Sequence, residues 1–268
     1  MSRRLRLVLA AVALVAAACG ESTPVANGPD PADADSGSVS RVIDGDSVEL
    51  LLDGAEVEAR LIGINAPELA DCQGPAATEA LSSVVGGQPV QVIEFGTDRF
   101  DRLLVELLIA DESVNEALVR AGWALGLHGD ERDWTAEMAM AAEGGLGIWD
   151  LPDVCPPDPA DLVIAAVEED PPGPDDDVLE DEWVEIENAG AEPVSLAGWT
   201  LRDESTSNRF TFESGTLAPG ERLRLRTGCG TDTETDVYWC SPAGVWSNRG
   251  ETVLLLAPSG AVADYRFL

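Results

Sequence analysis

The sequence has no lysine. All 16 of its basic residues are arginine, set against 50 acidic residues, and the formal net charge is -34. Without lysine, P-loop nucleotide binding and Schiff-base catalysis are excluded. One histidine, His128, leaves little room for a histidine-ligated zinc, and a Ser-His-Asp triad would have to be built on it. No Cys-x-x-Cys or Cys/His cluster is present, so the five cysteines do not read as a metal site. The acidity is even: six basic against 23 acidic residues over 37–155, and seven against 22 over 161–268. Such uniformity reads as a habitat or proteome bias, and it argues against clamping nucleic acid with a broad basic face.

The one long apolar run, "LVLAAVALVAAA", follows the basic "MSRRLR" and is too short to span a bilayer. Residues 1–18 therefore read as an export leader. "AAA" suits ordinary cleavage, whereas Cys19 directly after it resembles the lipobox of bacterial lipoproteins, with Ala16 where leucine is usual. Lipidation of Cys19 would tie the chain to a membrane from the extracytoplasmic side; without it the protein would be secreted. Residues 19–37, rich in Pro, Asp, Gly and Ser, read as a disordered tether. Four cysteines remain, Cys72, Cys155, Cys229 and Cys240, and outside the cytoplasm an even set implies two disulfides. Three pairings are possible, and domain placement favours Cys72–Cys155 with Cys229–Cys240.

With 45% hydrophobic residues, 268 positions can fill two cores. The proline-rich "CPPDPAD" at 155–161 marks the division, with 156–160 as linker. Before it, over 38–155, the strands "SRVI", "DSVELLL", "VEARLIGI", "QPVQVIEF" and "RLLVELLI" mix with helices over "GPAATEALSSVV", "SVNEALVRAG" and "RDWTAEMAMAAEGG". Ser113 and Glu116 make a capping box for the second helix. Five short strands with a few helices predict an α+β barrel of the OB type. After it, over 161–268, helical periodicity is absent. Alternating strands such as "EWVEIEN", "RFTF", "RLRLRT" and "ETVLLLAP" predict an all-β sandwich.

Four blocks of the first half, "RVIDGDSVEL", "RLIGINAPE", "TDRFDRLL" and "VNEALVRAGWA", resemble in order and spacing those of the staphylococcal-nuclease (thermonuclease) family over about residues 38–150. In the second half, "WVEIENAGAEPVSLAGWTLRDE", "LAPGERLRL" and "VWSNRGETVLLL" resemble the lamin-tail domain, an immunoglobulin-like module. Cys229 and Cys240 flank "GTDTETDVYW" and would close a loop of that module.

Hydrolysing a phosphodiester needs cations on the phosphoryl oxygens, a group that orients or deprotonates water, and a metal that neutralises charge. Arg60 and Arg102 match the two catalytic arginines of the nuclease family, and a guanidinium offers forked donors that suit phosphate. Glu68, held by the rigid Ala66-Pro67 turn, matches the glutamate that activates or orients water. Asp46 matches a calcium ligand. Asn65 stands where the family offers a second aspartate, and Ala66 would add its backbone carbonyl. An amide oxygen still suits a hard cation, but the lost charge implies weak Ca²⁺ binding, on the order of 10⁻⁴–10⁻³ M. Asp44 reads as a turn residue. Arg99 and Phe100 sit where the family contacts substrate, Phe100 being equally able to fill a core, and Asp101 replaces a frequent glycine. His128 lies near an expected aromatic substrate contact. Trp123, Trp134, Trp149, Trp183, Trp199, Trp239 and Trp246 read as core. The resemblance implies an anchored, calcium-dependent nuclease acting on DNA and RNA with little sequence preference. The alternative is a non-catalytic lipoprotein that binds nucleic acid or a surface on a nuclease-like scaffold. No residue points to a ligand for the lamin-tail module.

Overall fold

The computed structural model describes residues 34–128, 132–158, 160–174, 178–205, 207–247 and 250–268. The leader, Cys19 and the tether up to position 33 lie outside the described residues.

The first half runs β1 (Asp35–Val42), β2 (Ser47–Leu52), β3 (Ala55–Leu61), β4 (Ile64–Asn65), α1 (Gly74–Val85), β5 (Pro89–Thr97), β6 (Leu103–Ile109), β7 (Glu112–Ser113), α2 (Val114–Arg120), β8 (Leu125–Gly126) and α3 (Thr135–Glu143). The sheet order β3-β2-β1-β5-β6 is closed by a parallel β3–β6 pairing, which makes the five-stranded barrel expected from the sequence. Alternation in "SVELLL" and "AEVEARL" turns Val48, Leu50, Ala59 and Leu61 inward, all essentially without solvent contact. Helices α1 and α2 supply Ala77, Leu81, Leu118 and Val119 to the same core. Ser113 caps α2 by accepting from the Glu116 N–H at 3.2 Å, but Glu116 turns away to pair with Arg120, so the capping box is half formed.

β1 begins at Asp35, inside the stretch expected to be tether, because Asp35–Ser38 pair with Pro89–Val92 of β5. A backbone ladder does not require apolar side chains, so composition gave no sign of it.

The second half holds β9 (Leu162–Glu168), β10 (Trp183–Asn188), β11 (Val194–Ser195), β12 (Thr200–Arg202), β13 (Arg209–Thr211), β14 (Thr216–Leu217), β15 (Arg222–Arg226), β16 (Asp236–Tyr238), β17 (Thr252–Leu256) and β18 (Val262–Phe267). Sheets β16-β15-β10-β9 and β13-β12-β17-β18, with the small pair β11-β14, enclose Trp199, Ile164, Ile186, Leu201 and Leu225. This is the expected all-β, immunoglobulin-like half. The register Glu185↔Arg224 explains the "EIE" and "RLRLR" patterns. Arginines and glutamates pair on the outer face, Arg224 to Glu185 at 2.8 Å and Arg222 to Glu187 at 2.6 Å.

The halves share apolar contacts. Leu254 joins the barrel's core, and Leu256, Val262, Tyr265 and Phe267 pack against it. Trp149 meets Tyr265 edge-on at 4.9 Å and is half-buried between the domains, and Trp123, Trp183 and Trp239 are also only half-buried. Trp134, Trp199 and Trp246 are core residues as expected. Disulfides join Cys72 to Cys155 and Cys229 to Cys240, the pairing that domain placement favoured.

Candidate active site

The pairing of β2 with β3 puts Arg60 opposite Ser47, next to Asp46. The parallel closure of the barrel then pairs Arg60 with Leu104 on β6, which brings Arg102, at the mouth of that strand, into the same neighbourhood. The strand register thus gathers residues 46, 60 and 102 although they lie far apart in sequence.

Arg60 is half-buried, and both terminal nitrogens of its guanidinium have partners within the barrel. Nη1 forms a charge pair with the Asp46 carboxylate without hydrogen-bond geometry, and Nη2 donates to Asn65 Oδ1 at 2.9 Å and to the Ile64 carbonyl at 3.2 Å. Asp46 is itself buried, accepting from the Ser47 hydroxyl at 3.1 Å and from the Ala66 N–H at 2.6 Å. Gly45 permits this approach: a Cβ there would lie 2.6 Å from the Ala66 Cβ and 2.9 Å from that of Ala77. Asp44 accepts from the Asp46 N–H at 3.0 Å, the turn role read from sequence. Burial lowers the Arg60 pKa, Asp44 opposes it, Arg102 adds to it, and Glu68 and Asp98 oppose it. All five charges therefore act within one field.

Glu68 follows β4 and Pro67 on an exposed turn, its carbonyl accepting from the Asp71 N–H at 2.8 Å. Helix α1 starts hard against this turn. A Cβ on Gly74 would lie 2.0 Å from the Glu68 carbonyl oxygen, so glycine at 74 is what lets the helix N-terminus abut the turn.

Arg102 is half-buried and held by Asp98, with Nε and Nη2 each 2.8 Å from Asp98 Oδ2. The other oxygen of Asp98 accepts from the Phe100 N–H at 2.8 Å and the Arg102 N–H at 3.0 Å. Burial acts to raise the Asp98 pKa, but these donors outweigh it and hold the carboxyl below the usual range. Asp101 takes φ 64°, the left-handed conformation that glycine adopts most readily and that aspartate is among the residues to tolerate. Phe100 is 63% exposed and is not core. Arg99 lies 4.8 Å from its ring centre and Arg102 5.6 Å, so the turn presents an aromatic face edged by cations.

The metal donors singled out in the sequence are all oxygens: the Asp46 carboxylate, Asn65 Oδ1 and the Ala66 carbonyl. Hard oxygens suit calcium. The donor chemistry therefore fits, although Arg60 occupies Asp46 and Asn65 Oδ1 and would have to release them. Among the described residues no group of three His, Cys, Asp or Glu side chains forms a ready-made cage.

Two partners were missed in the sequence. Asp98 had a local signal, an aspartate two and four residues before the groups it caps. Glu204 had none. Its backbone carbonyl accepts from Asn65 Nδ2 at 2.8 Å across the domain boundary, and its carboxylate accepts from the His128 N–H at 3.1 Å and the Thr252 N–H at 3.0 Å. Burial acts to raise the Glu204 pKa, but the His128 ring and these backbone donors hold it below the usual range. The His128 side chain is buried against Glu204 and Thr135, so it is a structural link between the domains and not a substrate contact.

Residues 58–150 match the family model of staphylococcal nuclease homologues, and residues 156–267 match that of the lamin tail domain. An uncharacterized endonuclease of Escherichia coli O157:H7 is 33% identical over 124 residues, covering 45% of this chain and 81% of that protein. Protein ParB of Escherichia coli is 34% identical over 134 residues, covering 45% and 76%. A micrococcal nuclease of Shigella flexneri is 30% identical over 169 residues, covering 57% and 89%. The chain belongs to the staphylococcal nuclease homologues and continues, past its barrel, into a lamin tail domain.

Proposed function

We propose that the protein is a calcium-dependent nuclease that hydrolyses phosphodiester bonds of DNA and RNA with little sequence preference. The observation that supports this best is the barrel register, which brings Arg60 and Arg102 to one end of the barrel, with Glu68 on the nearby turn close enough for its charge to act on Arg60. Arg60 and Arg102 would donate to the phosphoryl oxygens as charge accumulates at phosphorus. Exposed Glu68 would take the proton of the attacking water as the new P–O bond forms and the leaving oxygen departs. Asp46, Asn65 and Ala66 would hold a calcium ion, which when bound would neutralise phosphoryl charge. Arg99 and Phe100 would receive the neighbouring nucleotide, the ring by stacking on its base.

Two disulfides suit an oxidising, extracytoplasmic location. Among the described residues no helix is long and apolar enough to cross a membrane. Attachment through a lipid on Cys19, with 1–18 as leader, a tether reaching towards β1, a nuclease unit from β1 to 155, linker 156–160 and lamin tail 161–268, completes the proposal. The test is incubation of the soluble chain with single-stranded DNA in millimolar calcium and in chelator. Cleavage in calcium alone is expected, and no cleavage in either would refute the enzyme reading.

The second reading, a non-catalytic scaffold that retains nucleic acid, is favoured by one observation: Arg60 already engages both Asp46 and Asn65. It expects strand binding that is indifferent to chelator and leaves the strand intact.

A further inference from the structure

A cleft of about 270 Å³ lies between the two domains, against the turn that carries Glu68. The barrel contributes Asn65, Pro67 and Asp71 to it; the lamin tail contributes Thr200, Arg202 and Arg209. Asn65 belongs to both places, since its Oδ1 accepts from Arg60 and its residue lines the cleft. Asp71 also belongs to both, because its N–H holds the Glu68 carbonyl and its carboxylate pairs with Arg209 at 3.3 Å.

The charge in this cleft is unusual for a chain with 16 basic residues and 50 acidic ones. Arg202 is only 5% exposed. Its Nε and Nη2 donate to the backbone carbonyls of Asp203 and Glu204, at 2.9 and 3.2 Å, which carry no net charge. Among the described residues no carboxylate lies within ion-pair distance of it. Burial first, and then the like charge of Arg209, lower its pKa, against the opposing pull of Asp203, Asp71 and Glu204. Buried Arg202 and exposed Arg209 thus face one cleft, and among the described residues Asp71, on Arg209, is the one carboxylate within ion-pair distance of either. An anion entering the cleft offsets the like charge of the two arginines and meets the guanidinium donors that these contacts leave over.

The walls are fixed before any ligand arrives. Asn65 donates to Glu204, Gln73 Nε2 donates to the Gly260 carbonyl at 2.6 Å, and Cys72, which lines the cleft, is tied to Cys155 by a disulfide. Gly260 packs so closely that a Cβ would lie 2.8 Å from Cys72 Sγ. Leu125, Ile148, Leu254 and Val262 add an apolar part to the lining.

We propose that this cleft is a phosphate subsite, in which the lamin tail domain holds, through Arg202 and Arg209, a phosphate of the nucleic-acid strand next to the linkage being cleaved. The proposal rests on the nuclease reading of the adjoining site. It makes the second domain part of the substrate groove.

The test uses the full soluble chain carrying Glu68→Gln, so that binding is read without cleavage, and a fluorescent single-stranded oligonucleotide whose affinity is followed against salt. Arg209→Gln should weaken binding about tenfold and reduce the slope of log affinity against log salt by about one. Asp71→Asn should tighten binding, because it removes the acid that competes for Arg209. A merely structural ion pair would make both substitutions weaken binding or leave it unchanged, and either pattern overturns the proposal. In the cleaving protein, Arg209→Gln should raise KM for the oligonucleotide with kcat little changed, and leave a dinucleotide, which has no flanking phosphate, unaffected. Inorganic phosphate should compete with the strand on the parent protein and not on Arg209→Gln. Competition by phosphate while Arg209→Gln binds the strand normally would assign the cleft to free phosphate and overturn the strand subsite. If the parent never cleaves, the nuclease reading fails while the two opposed binding shifts still judge the cleft.

Discussion

Substituting Asn65→Asp restores the aspartate usual in the family, and the structure says what that change would cost. Asn65 is 4% exposed, and its amide uses both ends, accepting from Arg60 through Oδ1 and donating to the Glu204 carbonyl through Nδ2. A carboxylate keeps the first contact and gains charge against Arg60. At the second, oxygen faces oxygen inside the domain interface. Losing a buried hydrogen bond costs about 1 kcal/mol, and leaving a buried acceptor unmatched adds roughly 1–3 kcal/mol. The charge-assisted bond to Arg60 returns about 1 kcal/mol. The Glu204 carbonyl keeps its bond from Arg202, which limits the loss on that side. The balance is a destabilisation of about 1–3 kcal/mol, or a fall in Tm of roughly 2–12 °C for a protein of this size. Under the proposed calcium role the new charge should also raise calcium affinity, so that saturating calcium recovers part of the loss. Thermal unfolding of parent and variant, in chelator and in millimolar calcium, measures both effects. An unchanged or higher Tm in chelator would refute the argument that an amide is required at 65.

Three further expectations concern other parts of the molecule. Phe100→Ala should leave Tm nearly unchanged, because the ring is 63% exposed, yet weaken single-strand binding by about 1–3 kcal/mol; an unchanged affinity would remove the ring from the substrate path. Glu251 is buried, and that burial, with Glu204, Asp203 and Glu182 nearby, pushes its carboxyl up to about 9. Its folded value lies above its unfolded one, so its contribution to stability is complete below about pH 4.5 and is lost as pH rises towards 9. Glu251→Gln should therefore raise Tm more at pH 8 than at pH 5, and a pH-independent shift would contradict the burial argument. Replacing Cys72 and Cys155 together by serine opens a bridge spanning 83 positions, for which chain entropy gives a loss of about 4–5 kcal/mol, read as a lower denaturant midpoint.

Much of this molecule was legible in its sequence because its signals are local. Alternation in "SVELLL" and "AEVEARL" gives the barrel strands, and Ser113 announces α2 through a cap that the structure retains. The "INAPE" turn shows Glu68 and its rigid mount in five letters. The hidden parts depend on distance along the chain. Asn65 and its acceptor are 139 positions apart, and a backbone carbonyl leaves no mark on the sequence. Trp149 reads as a core residue of its own domain, but its ring partners, Tyr265 and Phe267, come from the last strand of the other. Strands of two residues, such as β4 and β8, are too short to show a period, although that pair carries Asn65. The Arg202–Arg209 cleft is invisible for the same reason: it exists only once β12 and β13 meet the Glu68 turn.

The central claim is that Glu68, mounted beside Arg60 and Arg102, activates water at a phosphodiester. Single-turnover cleavage of a labelled DNA strand in saturating calcium, by the parent chain and by Glu68→Gln, tests it most directly. The account predicts a rate lower by about 10²–10⁴ for the variant, with strand affinity retained. Equal rates for the two proteins would contradict it.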